Sequence, residues 1–237
     1  MSEQERSDLV SRLVKLETAG FSDVLDEMGY PNQVLAREMR PLDPASRMAG
    51  AALCVRGENR VVTQSTAPVG PQISPYEIER RMQPDLVAVI DAGGHNVGAV
   101  IGGFMATSLK KNGCRGVVTN GGVRDSQEIA AIDMPTFCTF VTPVNASRRW
   151  RIVSVDEPVH LAGLAGSSVT VRPGDFLLGD ADGVIVVPAE IASAAIDAAE
   201  QLAQIEGTIA QAIRAGGTRE QLFAQHPRFA HIRRLKP

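Results

Sequence analysis

The chain has 237 residues, 44% apolar and 22% charged, with a formal net charge of −3. That much chain buries a full core without disulfides or a structural metal. The acidic balance, 27 Asp and Glu against 24 Lys and Arg with the arginines scattered, excludes the electrostatic footprint of a nucleic-acid binder.

No apolar run approaches the length of a membrane span, and the polar start MSEQERSDLV lacks the apolar stretch of a signal peptide. Cys54, Cys114 and Cys138 are an odd number, widely spaced, and read as reduced core residues. Together these features predict a cytoplasmic protein with no membrane role.

Ser2 with Glu5 forms the pattern of a capping box, and Leu9, Leu13 and Leu16 recur at helical spacing before Gly20. A second helix is predicted with Ser22 as N-cap, an apolar face of Val24, Leu25 and Met28, and a stop at Gly29. After Pro31, Pro41 and Pro44, the run Met48 to Arg56 reads as the first strand of the main sheet. Residues 57–84 are broken by Pro68, Pro71 and Pro75 and carry no clear period beyond a short helix over Tyr76 to Met82.

A regular run follows: strand Leu86 to Ile90, helix Gly103 to Asn112 closed by Gly113, strand Gly116 to Thr119, helix Arg124 to Ile132, and strand Pro135 to Phe140. Such β-α-β-α-β order requires parallel strands. From Arg151 to Val187, strands alternate with turn signals and no helix fits between them, so that portion is antiparallel and the sheet is mixed. Pro188 opens a long Ala-rich helix to about Arg214, and Thr218 with Gln221 is expected to cap a last short one. The organisation is one domain over 1–237, with N-terminal helices at about 1–30 and C-terminal helices at about 188–225.

Ligands in α/β sheets bind beyond the carboxyl ends of parallel strands. Two glycine-rich loops occupy such places. Gly93-Gly94-His95-Asn96-Val97-Gly98, leading into Gly102-Gly103-Phe104-Met105, offers a helix start suited to a carboxylate or phosphate, although glycines alone are better explained by close packing. His95 in this loop is a candidate acid/base or carboxylate ligand. Asn120-Gly121-Gly122-Val123-Arg124-Asp125-Ser126-Gln127-Glu128 is the second place. With a helix starting near Arg124, the heads of Arg124, Asp125 and Glu128 share one face, a planar cation beside an acid suited to a hard divalent metal. Asp180-Ala181-Asp182-Gly183 reads as a hairpin turn rather than a calcium loop.

The frame Gly103, twenty residues, Arg124-Asp125, two residues, Glu128 resembles the signature of the RraA-like proteins and the 4-hydroxy-4-methyl-2-oxoglutarate/4-carboxy-4-hydroxy-2-oxoadipate aldolases. The stretches GCRGVVTNGGVRD (113–125) and PGDFLLGDADGVIVVP (173–188) are similar to the same family, over about residues 20–205. The resemblance implies a mixed-sheet α/β sandwich of the swivelling β/β/α type with flanking terminal helices, assembled as a homotrimer or homohexamer with sites between subunits. It implies Mg²⁺ or Mn²⁺ held by Asp125, Arg124 on bound pyruvate, and backbone amides of Gly102, Gly103, Phe104 and Met105 taking its carboxylate.

Glu128 is then expected to orient metal-bound water or Arg124. The activity implied is metal-dependent cleavage or decarboxylation of a small 2-oxo acid, with a non-catalytic regulator of a ribonuclease or other protein as the alternative. Many active aldolases carry Asp or Glu where this chain has Gly103, and a further acid arrives from a neighbouring subunit, for which Glu190, Glu200 and Glu206 are candidates. A lysine Schiff base would need a desolvated lysine. Lys15, Lys110, Lys111 and Lys236 lie near the termini or late on a helix.

Overall fold

The computed structural model describes residues 1–60 and 73–235; Pro68, Pro71 and Lys236 lie outside the described residues. The chain opens with α1 (Glu3–Leu13) and α2 (Thr18–Met28), then β1 (Arg40–Pro41), β2 (Met48–Asn59) and α3 (Tyr76–Arg81). The central run is β3 (Leu86–Asp91), β4 (Ala99–Ile101), α4 (Gly103–Lys111), β5 (Gly116–Thr119), β6 (Gly122–Val123), α5 (Ser126–Ala131), β7 (Thr136–Cys138) and β8 (Phe140–Val141). It continues with β9 (Trp150–Val155), β10 (Val159–Ala162), β11 (Ser168–Val171), β12 (Phe176–Asp180) and β13 (Gly183–Val187), and closes with α6 (Ala192–Arg214) and α7 (Arg219–Gln225).

The main sheet has the order β1-β7-β5-β3-β2-β12-β13, with β9 also paired to β2. Strands β2, β3, β5 and β7 are mutually parallel, while β12, β13, β9 and β1 join antiparallel, so the expected mixed sheet is present. Its strands are apolar on both faces, as a sheet covered on both sides requires. Ala51, Leu53, Val55, Ala88, Ile90, Phe176 and Leu178 meet the helices, including Leu13 of α1, Phe21 and Leu25 of α2, and Ile196 and Leu202 of α6. The alternate residues, among them Cys54, Val87, Val89, Phe137 and Val186, meet Val159, Leu161, Val169 and Val171 of the β10–β11 hairpin. The result is a mixed α/β sandwich: hairpin, central sheet, helices.

The capping box at α1 forms as its sequence predicts, with Ser2 N donating to Glu5 Oε2 at 2.7 Å and Glu5 N donating to Ser2 Oγ at 3.2 Å. Several details differ from expectation, among them the start of α6, which is at Ala192 rather than Pro188. Helix α2 starts at Thr18, not after Ser22, because its first turn is capped from a distance: Thr18 N and Thr18 Oγ1 donate to buried Asp180 at 2.9 and 2.6 Å. Thr218 precedes α7 without a side-chain cap bond. The strand expected over Pro135 to Phe140 divides into β7 and β8, with the Thr139 hydroxyl donating to the carbonyl of Asn120 at 3.0 Å. The Asp180–Gly183 segment is the β12–β13 hairpin turn, as expected.

Candidate active site

A second, three-stranded parallel sheet, β4-β6-β8, builds the site. Ala99 pairs with Gly122 and Ile101 with Val123, and Arg124 N donates to the Ile101 carbonyl at 3.1 Å. Because the ladder is parallel, the residues leaving β4, Gly102-Gly103, lie beside those leaving β6, Arg124-Asp125. Both loops are at carboxyl ends of strands, where α/β sheets place their ligands.

The two glycines are seats for the facing side chains. A Cβ at position 102 would stand 2.8 Å from Asp125 Oδ2 and 2.9 Å from Arg124 Nε. One at position 103 would overlap the Glu128 carboxylate and lie 3.3 Å from Asp125 Cβ. Arg124, Asp125 and Glu128 therefore all converge on Gly102-Gly103. Arg124 Nε lies 3.4 Å from Asp125 Oδ2, and both side chains are about one-third exposed and open to a ligand.

The local cause of this convergence differs from the sequence expectation. Helix α5 begins at Ser126, so Arg124 is not a helical neighbour of Glu128. Asp125 precedes the helix in the left-handed region, φ 58°, ψ 39°, where aspartate is among the better tolerated non-glycine residues. Its carbonyl accepts from Ile129 N at 3.0 Å, the first bond of the helix. Its carboxylate makes no cap to its own helix; instead Gly103 N donates to Asp125 Oδ2 at 3.0 Å.

At the start of α4, then, the Gly103 amide is already occupied. Among the described residues, the Phe104 and Met105 amides have no protein acceptor, since the first intrahelical bond runs from Ala106 N to the Gly102 carbonyl. These two N–H groups, at the positive end of the helix, are the ones available to an anion.

His95 is held elsewhere. It is buried, with Nδ1 2.6 Å from Asn59 Oδ1 and Nε2 accepting from Gly98 N at 3.0 Å, which makes Nδ1 the protonated nitrogen. Both nitrogens are used, and burial, with Arg149 nearby, holds its pKa below the ordinary imidazole value. His95 thus ties its loop to the end of β2, with neither ring nitrogen left for a substrate. That half of the glycine-rich segment is close packing: a Cβ at Gly98 would sit 2.9 Å from Ala146 Cα. A further clamp joins the two strand-end loops, with Asn120 Nδ2 donating to Asp91 Oδ1 at 2.9 Å and Ala92 N donating to Asn120 Oδ1 at 2.6 Å.

The remaining candidates separate cleanly. Burial pushes the thiol of Cys54 up to about 12 and those of Cys114 and Cys138 up to about 11, so none is a nucleophile at neutral pH. Lys110 donates to the Asp133 carbonyl at 2.8 Å. Glu200 accepts from Arg12, and Glu206 pairs with Arg228, whereas Glu190 is exposed with no ion pair among the described residues.

Beside Gly102 and Arg124 opens a cavity of about 420 Å³ with walls from Ile101, Met105, Trp150 and Ile152 and with Arg60 and Arg151 on its lining. Trp150 is fixed in place. Its Nε1 donates to the Ala92 carbonyl at 3.0 Å, and its ring lies on Gly57, where β2 carries a bulge opposite β9. Sequence reasoning missed both Arg60 and Trp150, because what makes them neighbours is the β2–β9 register, which pairs Asn59 with Trp150.

Among the described residues no three His, Cys, Asp or Glu side chains cluster as a metal cage. The donor set at the glycine corner is two carboxylates, Asp125 and Glu128. That set suits a hard cation such as Mg²⁺, which retains most of its water and needs only one or two protein carboxylates, and does not suit a soft or fully enclosed metal.

The family model described as RraA-like, Aldolase/RraA, matches residues 18–186. The chain belongs to the RraA-like family. An RraA-like relative from Halalkalibacterium halodurans, provisionally named a 4-hydroxy-4-methyl-2-oxoglutarate aldolase, is 32% identical over 188 residues, covering 78% of this chain and 79% of the relative. A solved structure of an uncharacterized protein from Pseudomonas syringae pv. tomato superposes with a TM-score of 0.78 at 25% identity, covering 92% of this chain and 94% of that one. RraAS2 from Streptomyces coelicolor, described as an unusual member of the RNase ES inhibitor RraA protein family, superposes with a TM-score of 0.74 at 27% identity, covering 86% and 97%. The RraA-like family thus contains proteins named as lyases and proteins described as inhibitors.

Proposed function

We propose that this RraA-like chain is a divalent-metal-dependent carbon–carbon lyase, a class II aldolase or decarboxylase converting a small 2-oxo acid to pyruvate. The type substrates are 4-hydroxy-4-methyl-2-oxoglutarate and oxaloacetate. The observation that carries this reading is the convergence of the Arg124 guanidinium and the Asp125 and Glu128 carboxylates on one glycine corner, beside two helix amides without protein acceptors among the described residues. Similarity to a protein named as an aldolase supports it.

Both reactions break a carbon–carbon bond and leave its electron pair on the three-carbon fragment as an enolate, so catalysis needs positive charge placed at the 2-oxo oxygen. The Phe104 and Met105 amides hold the adjoining carboxylate at the positive end of α4. Arg124, planar and permanently charged, faces the oxygen where negative charge develops. Asp125 would hold Mg²⁺ or Mn²⁺, and the ion would supply Lewis acidity for the enolate charge. Glu128 orients Arg124 or a water beside it. None of the described lysines lines the cavity, so a Schiff base has no candidate there. The same reading takes the protein as a homotrimer or homohexamer, supported by Phe104 at the start of α4, 88% exposed, and Val141 on the edge strand β8, 54% exposed.

The competing reading, a regulator that binds a ribonuclease or other protein, is favoured by the likeness to RraAS2 and by Gly103 in place of a carboxylate. One assay separates the two. A lyase releases pyruvate from oxaloacetate or 4-hydroxy-4-methyl-2-oxoglutarate with Mg²⁺ or Mn²⁺, stops with chelator, and loses roughly 100-fold or more in kcat on Arg124→Ala. No pyruvate from either substrate, with metal-independent capture of a partner protein, overturns the lyase.

A further inference from the structure

The cavity beside the glycine corner holds more than a pyruvate unit. Its volume, about 420 Å³, is that of a pocket for a ligand much larger than a three-carbon acid. Its wall is largely apolar, from Ile101, Met105, Trp150 and Ile152, and Trp150 is held rigidly with its one polar atom turned to the Ala92 carbonyl. Two arginines other than Arg124 line it, and they differ in charge balance. Arg151 is paired with Glu58, its Nε donating to Oε1 at 2.9 Å. Among the described residues the Arg60 side chain donates to the Ser147 carbonyl, at 3.3 Å, and pairs with no carboxylate. Arg60 is half-buried as a residue, and its guanidinium brings a positive charge without a carboxylate partner to the rim of an apolar cavity, at the Ser147 part of the wall, whereas Arg124 enters beside Gly102. An apolar wall with a second cation on it selects a substrate with an apolar body and a second anionic head.

We propose that Arg60 is a specificity-determining residue, and that the preferred substrate is a 2-oxo acid whose distal part carries a bulky alkyl or aryl group ending in a second carboxylate bound by Arg60. This rests on the 2-oxo acid reading of the site. Calorimetric titration of the full chain with Mg²⁺ present, using pyruvate, phenylpyruvate and 4-carboxyphenylpyruvate, tests it.

The expected order of affinity is 4-carboxyphenylpyruvate above phenylpyruvate above pyruvate. Arg60→Gln is expected to reduce the ratio between the first two by about tenfold, with Arg60→Lys retaining part of it. Pyruvate binding without any preference for the larger acids, or an Arg60→Gln variant that weakens all three alike, overturns the proposal and leaves the 2-oxo acid reading intact. Absence of binding by all three, pyruvate included, overturns both. Circular dichroism on each variant confirms that the fold is unchanged.

Discussion

Asp125 serves two purposes that pull on its backbone and its side chain separately. The turn from β6 into α5 needs a residue at φ 58°, and the corner needs a carboxylate facing Gly103. Asparagine tolerates the left-handed region nearly as well as aspartate, whereas alanine there costs roughly 1–2 kcal/mol. Asp125→Asn is therefore expected to keep the melting temperature of the parent and lose metal-dependent pyruvate release, while Asp125→Ala loses both activity and stability. A thermal melt run beside the activity assay checks it, and equal melting of the two variants would remove the argument from backbone conformation. Arg124, Asp125 and Glu128 were legible as a candidate site because they follow a Gly-Gly turn at a strand end, and the structure brings their side chains together. Their supposed common helical face was not the cause, since Asp125 breaks the helix that would have aligned them.

Elements were legible where their own residues specify them. The capping box of α1, the stop at Gly29 and the two-sided apolar strands β3 and β5 are local or periodic signals. What escaped was specified from elsewhere. Strands β4, β6 and β8 have two or three residues each, too few for an alternation to register, yet they carry the candidate site.

The start of α2 is capped by Asp180, 162 residues away, from the β12–β13 hairpin. Asp180→Ala leaves the amide and hydroxyl of Thr18 and the amide of Asp182 without their acceptor. A loss of about 2–3 kcal/mol is expected, a fall of roughly 4–12 °C in melting temperature. A urea titration that gives the same midpoint for variant and parent would show that water replaces the cap.

On the scale of the whole molecule, the mixed sheet followed from the order of strand and helix signals, whereas the separate β10–β11 hairpin that covers its second face and the cavity did not. Arg60 and Trp150 reach it only through the pairing of β2 with β9, a contact between segments more than 90 residues apart with no local trace.

Global stability should also carry the mark of His95. Its pKa is lowered in the native state, so the folded chain binds fewer protons there than the unfolded chain, whose imidazole titrates near 6.5. Its contribution is complete above about pH 6.5 and is lost as pH falls below that toward the depressed native value. Chemical denaturation across this window should show stability rising with pH, and His95→Gln, which keeps a donor and an acceptor without titrating, should flatten the slope. An unchanged slope would place the proton uptake elsewhere.

Gly57 gives the cavity a control point behind its own wall. No side chain fits between the bulged backbone and the indole, so even one methyl group at that position would drive the ring off its rest and into the space where a ligand body would lie. The bore of the pocket is thus dictated by an atom that is missing on the far side of the tryptophan, and evolution or an engineer can narrow it without touching any residue the ligand meets.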